Sequence, residues 1–334
     1  MSELEELMKI FPPKLRQILQ SLPLELEKLQ EIRLRTGQPM LLLCGGQELF
    51  AGNKGELLKG DSLTWKQQEQ FFVVTRRQIQ ETLELVGRHS LYAFEEELRQ
   101  GFLTIEGGHR IGVAGRAVLE GNRMRSMKYI SFLNVRLSHE VKGCGDQVLP
   151  FLYREDGQVC HTLILSPPGC GKTTLLRDLV RQISNGSVSQ EGKPGRRGCT
   201  VGVVDERSEI GGSYLGVPSH DLGIRTDVLD CCPKTEGMML LVRSMAPEVV
   251  AVDEIGSLEE IHAIETILHC GCRFLATVHA GCLEELEKKP LLQKLVQEEV
   301  FERYLVLQNR GQAGRVREIL DGQGQSLYKG EEIC

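Results

Sequence analysis

The chain has 334 residues, of which 41% are hydrophobic and 26% charged, a balance that excludes a disordered or fibrous polymer and leaves room for about two globular domains. Forty basic and 46 acidic residues give a formal charge of −6, which argues against a general nucleic-acid binder. No uncharged apolar run approaches the ~18 residues of a membrane span, so direct membrane insertion is not expected.

The N-terminal run MSELEELMKIFPPKL carries acids where a secretory signal would need a basic start and an apolar core, so the chain reads as cytoplasmic. Residues 4–19 and 23–32 have helical spacing, with Pro12, Pro13 and Pro23 as breaks. LRTGQPMLLLCGGQELFAG reads as strand, turn and strand, its apolar run stopping at Gly45-Gly46. Thr75 is the expected N-cap of a helix over TRRQIQETLELVGRHS. GFLTIEGGHRIGVAGRAVLEGNRMRSM reads as two or three strands with glycine turns, Arg110, Gly112, Ala114 and Arg116 on one alternating face and Ile111, Val113 and Gly115 on the other. These elements predict an α+β N-terminal domain over residues 1–142.

Beyond Gly143 the pattern changes. VCHTLIL is an apolar run, CTVGVVD, PEVVAVD and CRFLATVH are three more that each end in a polar or charged residue, and helical segments such as 173–184, 235–246 and 257–269 separate them. Alternation of this kind predicts an α/β domain on a mostly parallel sheet. The polar, Gly-rich SNGSVSQEGKPGRRG reads as a loop, and YLVLQ, RVREIL and SLYK as closing β-hairpins. The second domain is therefore expected over residues 143–334. Charge divides with it: residues 1–145 carry a net +2 and residues 146–334 a net −8. Within the first part, residues 109–142 hold seven of the cations against only Glu120 and Glu140. Eleven cysteines without a CxxC pair read as reduced thiols.

The strongest signal is SPPGCGKTT, residues 166–174, set between a buried strand and a helix. That is the context a phosphate-binding P-loop requires. The segment Ser166, Pro167, Pro168, Gly169, Cys170, Gly171, Lys172, Thr173 and Thr174 is expected to bind ATP, its backbone N–H groups surrounding the phosphates at a helix start. Lys172 would reach the β- and γ-phosphates, and the Thr173 hydroxyl would bind Mg²⁺. Ser166 stands where the motif usually has glycine, which is tolerable if its φ stays negative. Cys170 reads as a small loop residue, although a helix start can also lower a thiol pKa.

VVAVDEI ends a strand in Asp253 and Glu254. Asp253 would hold Mg²⁺ through its water shell and Glu254 would orient and polarise the attacking water. VGVVDERSEI ends another strand in Asp205, Glu206 and Glu209, for which a second metal- or water-organising role is expected. FLATVHA ends a third in His279, a candidate γ-phosphate sensor.

The order of these motifs resembles the secretion ATPases, the hexameric RecA-like motors of type II and type IV secretion and of pili. VDERSEI is similar to their acidic box, LVRSMAPEVVAVDEIG to their Walker B segment, with Asp253 where most of them have glycine, and ATVHA to their His box. Over nearly the whole length, and above all in GIRTDVLDCCPK and SFLNVRLSHEVKG, the chain resembles the stage III sporulation protein AA family of endospore formers. The resemblance implies a RecA-like P-loop ATPase domain with a smaller α+β N-terminal domain, ATP and Mg²⁺ as cofactors, self-assembly into a hexamer, and work beside membrane-bound sporulation channel proteins. It also makes Arg225 and Arg243 candidates for a cation supplied to a neighbouring subunit's γ-phosphate; a structural ion pair is the alternative for each. Arg110, Arg116 and Arg136 would either face nucleotide or form an ordinary solvated face. Two other functions stay open at this level: a P-loop protein that works on nucleic acid, and a nucleotide switch with little turnover.

Overall fold

The computed structural model describes residues 7–59, 69–87, 101–121, 123–187, 195–308 and 313–330. They divide into two compact units, one of Met1–His139 with Gly212–Ser219 and one of Glu140–Gly211 with His220–Cys334. No described helix is long and apolar enough to cross a membrane.

The first unit opens with helix α1 (Pro13–Ser21), which buries Leu15 and Leu19 and has proline in its first turn, where a missing N–H costs nothing. Strands β1 (Leu29–Arg35), β2 (Leu41–Cys44), β3 (Gln47–Ala51) and β4 (Leu57–Lys59) follow. Gly45 and Gly46, with φ of +57° and +77°, form the β2–β3 turn, and positive φ at both central residues suits a two-residue hairpin. Helix α2 (Arg76–Val86) starts at a capping box: the Thr75 hydroxyl accepts the Gln78 N–H and the Gln78 side chain accepts the Thr75 N–H. Then come β5 (Phe102–Thr104), β6 (Arg110–Glu120) and β7 (Arg123–Arg136). These strands make one antiparallel sheet in the order β4-β3-β2-β1-β7-β6-β5, over a core that includes Phe11, Leu15, Leu29, Ile32, Leu34 and Met40.

Two readings of this unit change. Residues 23–32 do not continue as a helix; a short 3₁₀ turn (Leu26–Lys28) leads into β1. Pairing with both β2 and β7, with Leu29, Ile32 and Leu34 buried, outweighs the local leucine spacing. On β6 the in–out alternation holds through Val113 and then ends, because the register with β7 slips between Ala114 and Arg116. Residues 114–117 are exposed on both faces of the ribbon.

The second unit contains β8 (Thr162–Ser166), α3 (Lys172–Asn185), β9 (Val201–Asp205), β10 (Thr226–Asp230), α4 (Lys234–Met245), β11 (Val249–Val252), α5 (Leu258–His269), β12 (Arg273–His279), α6 (Leu283–Glu287), α7 (Pro290–Gln297), β13 (Arg303–Leu307), β14 (Val316–Asp321) and β15 (Ser326–Lys329). The sheet order is β10-β9-β11-β12-β8-β13-β14-β15. It is parallel from β10 to β13 and antiparallel beyond. Every residue of β8, β9 and β11 is buried, which is why these strands read as unbroken apolar runs. Strand β10 is half-buried along its length and carries two aspartates, so no apolar signal announces it. Residues 188–194 of the Gly-rich loop lie outside the described residues; its flanks pair as a bridge between Ser187 and Arg196.

Register places the candidate residues. His279 lies opposite Ser166 across β12 and β8, and Val252 lies opposite Ala276 and Val204. The residues after Val252 and Val204, Asp253 and Asp205, therefore reach the same carboxyl-terminal edge as the phosphate loop, where open α/β sheets bind ligands.

Candidate active site

The candidate phosphate loop, residues 166–174, runs from the end of β8 into α3. Ser166 is fully buried and its hydroxyl donates to the Pro167 carbonyl at 2.8 Å; its φ is not positive, so it meets the condition for replacing glycine. Pro167 and Pro168 carry the chain to Gly169 and Gly171, with φ of +78° and +88°. Gly171 is the N-cap of α3, so the unpaired N–H groups of Lys172, Thr173 and Thr174 open from the helix start. The β13–β14 connection leans on the loop from behind: the Gly314 N–H donates to the Cys170 carbonyl at 3.0 Å, and a Cβ on Gly171 would lie 2.3 Å from the Gly314 nitrogen.

Lys172 is only 5% exposed. Its ammonium donates to His279 Nδ1 at 3.0 Å and lies 3.8 Å from Glu254 Oε1. Because an ammonium can only donate, Nδ1 accepts, and the Nε2–H is left to donate to Glu254 Oε1 at 2.8 Å. Lysine, imidazole and carboxylate thus form one chain. The Arg207 guanidinium approaches the other Glu254 oxygen at 3.6 Å. Beside them the Thr173 hydroxyl donates to Asp253 Oδ2 at 2.5 Å, and the Thr277 hydroxyl donates to Asp253 Oδ1.

Asp205 departs from the expectation for the acidic turn. Its carboxylate is buried and accepts the N–H groups of Glu209, Ile210 and Gly211 at 2.7–3.0 Å. Burial pushes its pKa up to about 6 against those three hydrogen bonds. Arg177 of α3 donates to the carbonyls of Glu209 and Ile210, both at 2.7 Å. Asp205 therefore shapes the turn, while Glu206 and Glu209 line a small cavity with Asp205, Arg207, Lys234, Asp253 and Glu254.

The two candidate arginines lie elsewhere. Arg225 donates to the carbonyls of Ser184 and Asn185 at the C-terminal end of α3, about 20 Å along that helix from Lys172. Arg243 is exposed in the last turn of α4. In the first unit, Arg136 pairs with Glu31 at 3.2 Å, and Arg110 stacks over the Phe102 ring.

Three contributors escaped the sequence reading: Thr277, Arg207 and Lys234. Thr277 carried one usable signal, since a hydroxyl inside an apolar strand needs a buried partner. Lys234 and Arg207 reach the site from separate loops and helix starts, and no local pattern marks them.

A parallel sheet in this strand order, with a phosphate loop and acids at its carboxyl edge, is the RecA-like P-loop ATPase fold, here accompanied by a smaller α+β unit. Solved structures agree. The ATPase DotB of Legionella pneumophila superposes with a TM-score of 0.56 at 16% identity, over 94% of this chain and 82% of that one. The pilus retraction motor PilT, solved with bound ADP, gives 0.54 at 14% identity over 95% and 82%. The chain belongs to the family described as sporulation stage III, protein AA, whose profile matches residues 1–327. Stage III sporulation protein AA of Bacillus subtilis (strain 168) is 36% identical over 337 aligned residues, covering 99% of this chain and all of that protein. The plant protein SEEDLING PLASTID DEVELOPMENT 1 of Arabidopsis thaliana is 30% identical over 176 residues, or 52% of this chain and 23% of its own length.

Proposed function

We propose that the chain is a Mg²⁺-dependent ATPase of the secretion-motor type, working as a homo-hexamer beside membrane-bound sporulation channel proteins. In this reading residues 143–334 form the hydrolytic domain and residues 1–142 the α+β N-terminal domain. The observation that carries it is a pair of adjoining contacts: Lys172, His279 and Glu254 reach one another, while Thr173, next to Lys172 in the chain, bonds Asp253, next to Glu254.

The residues fit nucleotide and metal. Space beyond Gly169 is open, since a Cβ there would meet nothing within 4 Å, and the ammonium of Lys172, three residues on, is buried. Among the described residues no group of three or more His, Cys, Asp or Glu is arranged to hold a metal by itself. Thr173 and Asp253 instead offer two hard oxygens side by side, the pattern for Mg²⁺ that is shared with substrate phosphates. When bound there, Mg²⁺ would supply charge neutralisation to the nucleotide's phosphates.

The chain's own groups would do the rest. Loop N–H groups bind and orient the phosphates. Lys172 exchanges its His279 and Glu254 contacts for phosphate oxygens, and the Glu254 carboxylate accepts a proton from the attacking water. Loss of such a base costs ~10²–10⁴-fold in rate. His279 would turn its Nε2–H from Glu254 Oε1 to the γ-phosphate. Because Arg225 is held at the far end of α3 from its own Lys172, any action of it on charge at the γ-phosphate would be in a neighbouring subunit of the proposed hexamer; the exposed Arg243 is the second candidate for that role.

Native mass measurement of wild type and Glu254→Gln, with and without ATP and Mg²⁺, tests the motor reading. The expected result is nucleotide-dependent assembly of six copies, most persistent in Glu254→Gln. A monomer in every condition that still hydrolyses ATP at full rate would overturn it.

A further inference from the structure

Glu254 has a φ of +55°, a left-handed backbone that non-glycine residues adopt only when their surroundings hold them there. Two contacts hold it. Its N–H donates to the Thr277 hydroxyl at 2.9 Å, and its carbonyl accepts from Lys234 Nζ at 2.7 Å. Lys234 is 10% exposed and also reaches the Asp253 carbonyl at 3.3 Å, Glu260 Oε1 at 3.0 Å and Glu206 Oε2 at 3.4 Å. Glu260 in turn accepts the N–H groups of Gly256 and Ser257 through its other oxygen, closing the turn into α5. Gly237, one helical turn after Lys234, brings α4 against β9: a Cβ there would lie 2.5 Å from a Val204 methyl. The ammonium is thereby delivered to the back of the Asp253-Glu254 turn.

We infer that Lys234 is a positioning residue for hydrolysis, holding the Glu254 backbone in its left-handed turn so that the carboxylate faces Lys172 and His279. Through its ion pair with Glu206 it also ties the acidic turn after β9 to the hydrolytic glutamate. The role rests on the ATPase reading above, but the clamp itself can be read without turnover. An ammonium is suited to it, because three donors on one nitrogen can meet carbonyl and carboxylate oxygens from different directions. Displacement of a base by about 1 Å costs on the order of 10²-fold in rate.

The test compares wild-type full chain, Lys234→Met, and Lys234→Met with Glu260→Gln, the last removing the carboxylate that the first leaves unpaired. Amide hydrogen exchange at Glu254 and Ile255 is read beside phosphate release and ADP binding. The expected result in both variants is exchange at those amides faster by roughly tenfold or more, with Thr162–Ser166 unchanged. Phosphate release falls by about tenfold or more while ADP affinity stays within about threefold, and Lys234→Met lowers the rate no further in a Glu254→Gln background. Unchanged exchange at Glu254 and Ile255 overturns the clamp whether or not the wild type hydrolyses ATP. A uniform rise across the sheet also overturns it, because Lys234 would then serve the fold alone. Faster exchange at the turn in the variants, with no turnover by the wild type, would leave the clamp standing and defeat the ATPase reading.

Discussion

Glu254 carries a backbone conformation that costs a non-glycine residue on the order of 1 kcal/mol or more. The cost is accepted where Asp253 and Glu254 must turn two carboxylates toward different partners, Thr173 on one side and Lys172 with His279 on the other. The two acids were legible in the sequence because they end an apolar strand. The conformation was not, because it is set by Thr277 and Lys234, 23 and 20 residues away in the chain. A second residue-scale consequence concerns His161. Burial, and next the neighbouring Arg273 guanidinium that donates to its Nε2 at 3.0 Å, holds its pKa down to about 4 from an ordinary value of 6.5. Folding therefore favours the neutral ring: the gain is present above pH 6.5 and is lost as pH falls toward 4, by up to ~3 kcal/mol. Thermal unfolding midpoints of wild type and His161→Gln, followed from pH 7 to 4, should show a steeper acid loss in wild type. Parallel curves would remove His161 from the acid response.

At the scale of elements, the phosphate loop depends on two glycines for different reasons. Gly169 needs only a left-handed φ, with open space around it. Gly171 needs that φ and also the close approach of the Ala313–Gly314 backbone. Gly169→Ala should cost ~1–2 kcal/mol, whereas Gly171→Ala should cost about 3 kcal/mol or more and weaken ADP binding much further. Unfolding midpoints and ADP titrations of the two variants check the order, and equal effects would contradict it. The same scale explains what could be read beforehand. Strands β8, β9, β11 and β12 announced themselves, because a sheet covered on both faces makes nearly every residue apolar. The half-buried β10 did not, and β1 looked helical because leucines at 22, 26 and 29 fit a helix until pairing with β2 and β7 decides otherwise. The contact of the β13–β14 connection with the phosphate loop spans about 140 residues of sequence and has no local signature.

At the scale of the whole molecule, the charges acquire places. The −8 of residues 146–334 includes the acids gathered at one sheet edge, where two lysines with little exposure, Lys172 and Lys234, balance part of them. The basic segment of residues 109–142 is divided between an exposed ribbon and side chains already engaged, such as Arg136 with Glu31. The change of pattern near residue 143 was legible in the sequence, because a parallel α/β sheet repeats one pattern while an antiparallel sheet uses another; the grouping of Gly212–Ser219 with the first unit had no such signal. Steady-state phosphate release from ATP with Mg²⁺ by wild type and Glu254→Gln, alongside ADP binding by both, tests the assignment most directly. The expected result is turnover by wild type, a loss of about 10²-fold or more in Glu254→Gln, and ADP affinities within about threefold of each other. Equal phosphate release by the two proteins, or none by wild type, would contradict it.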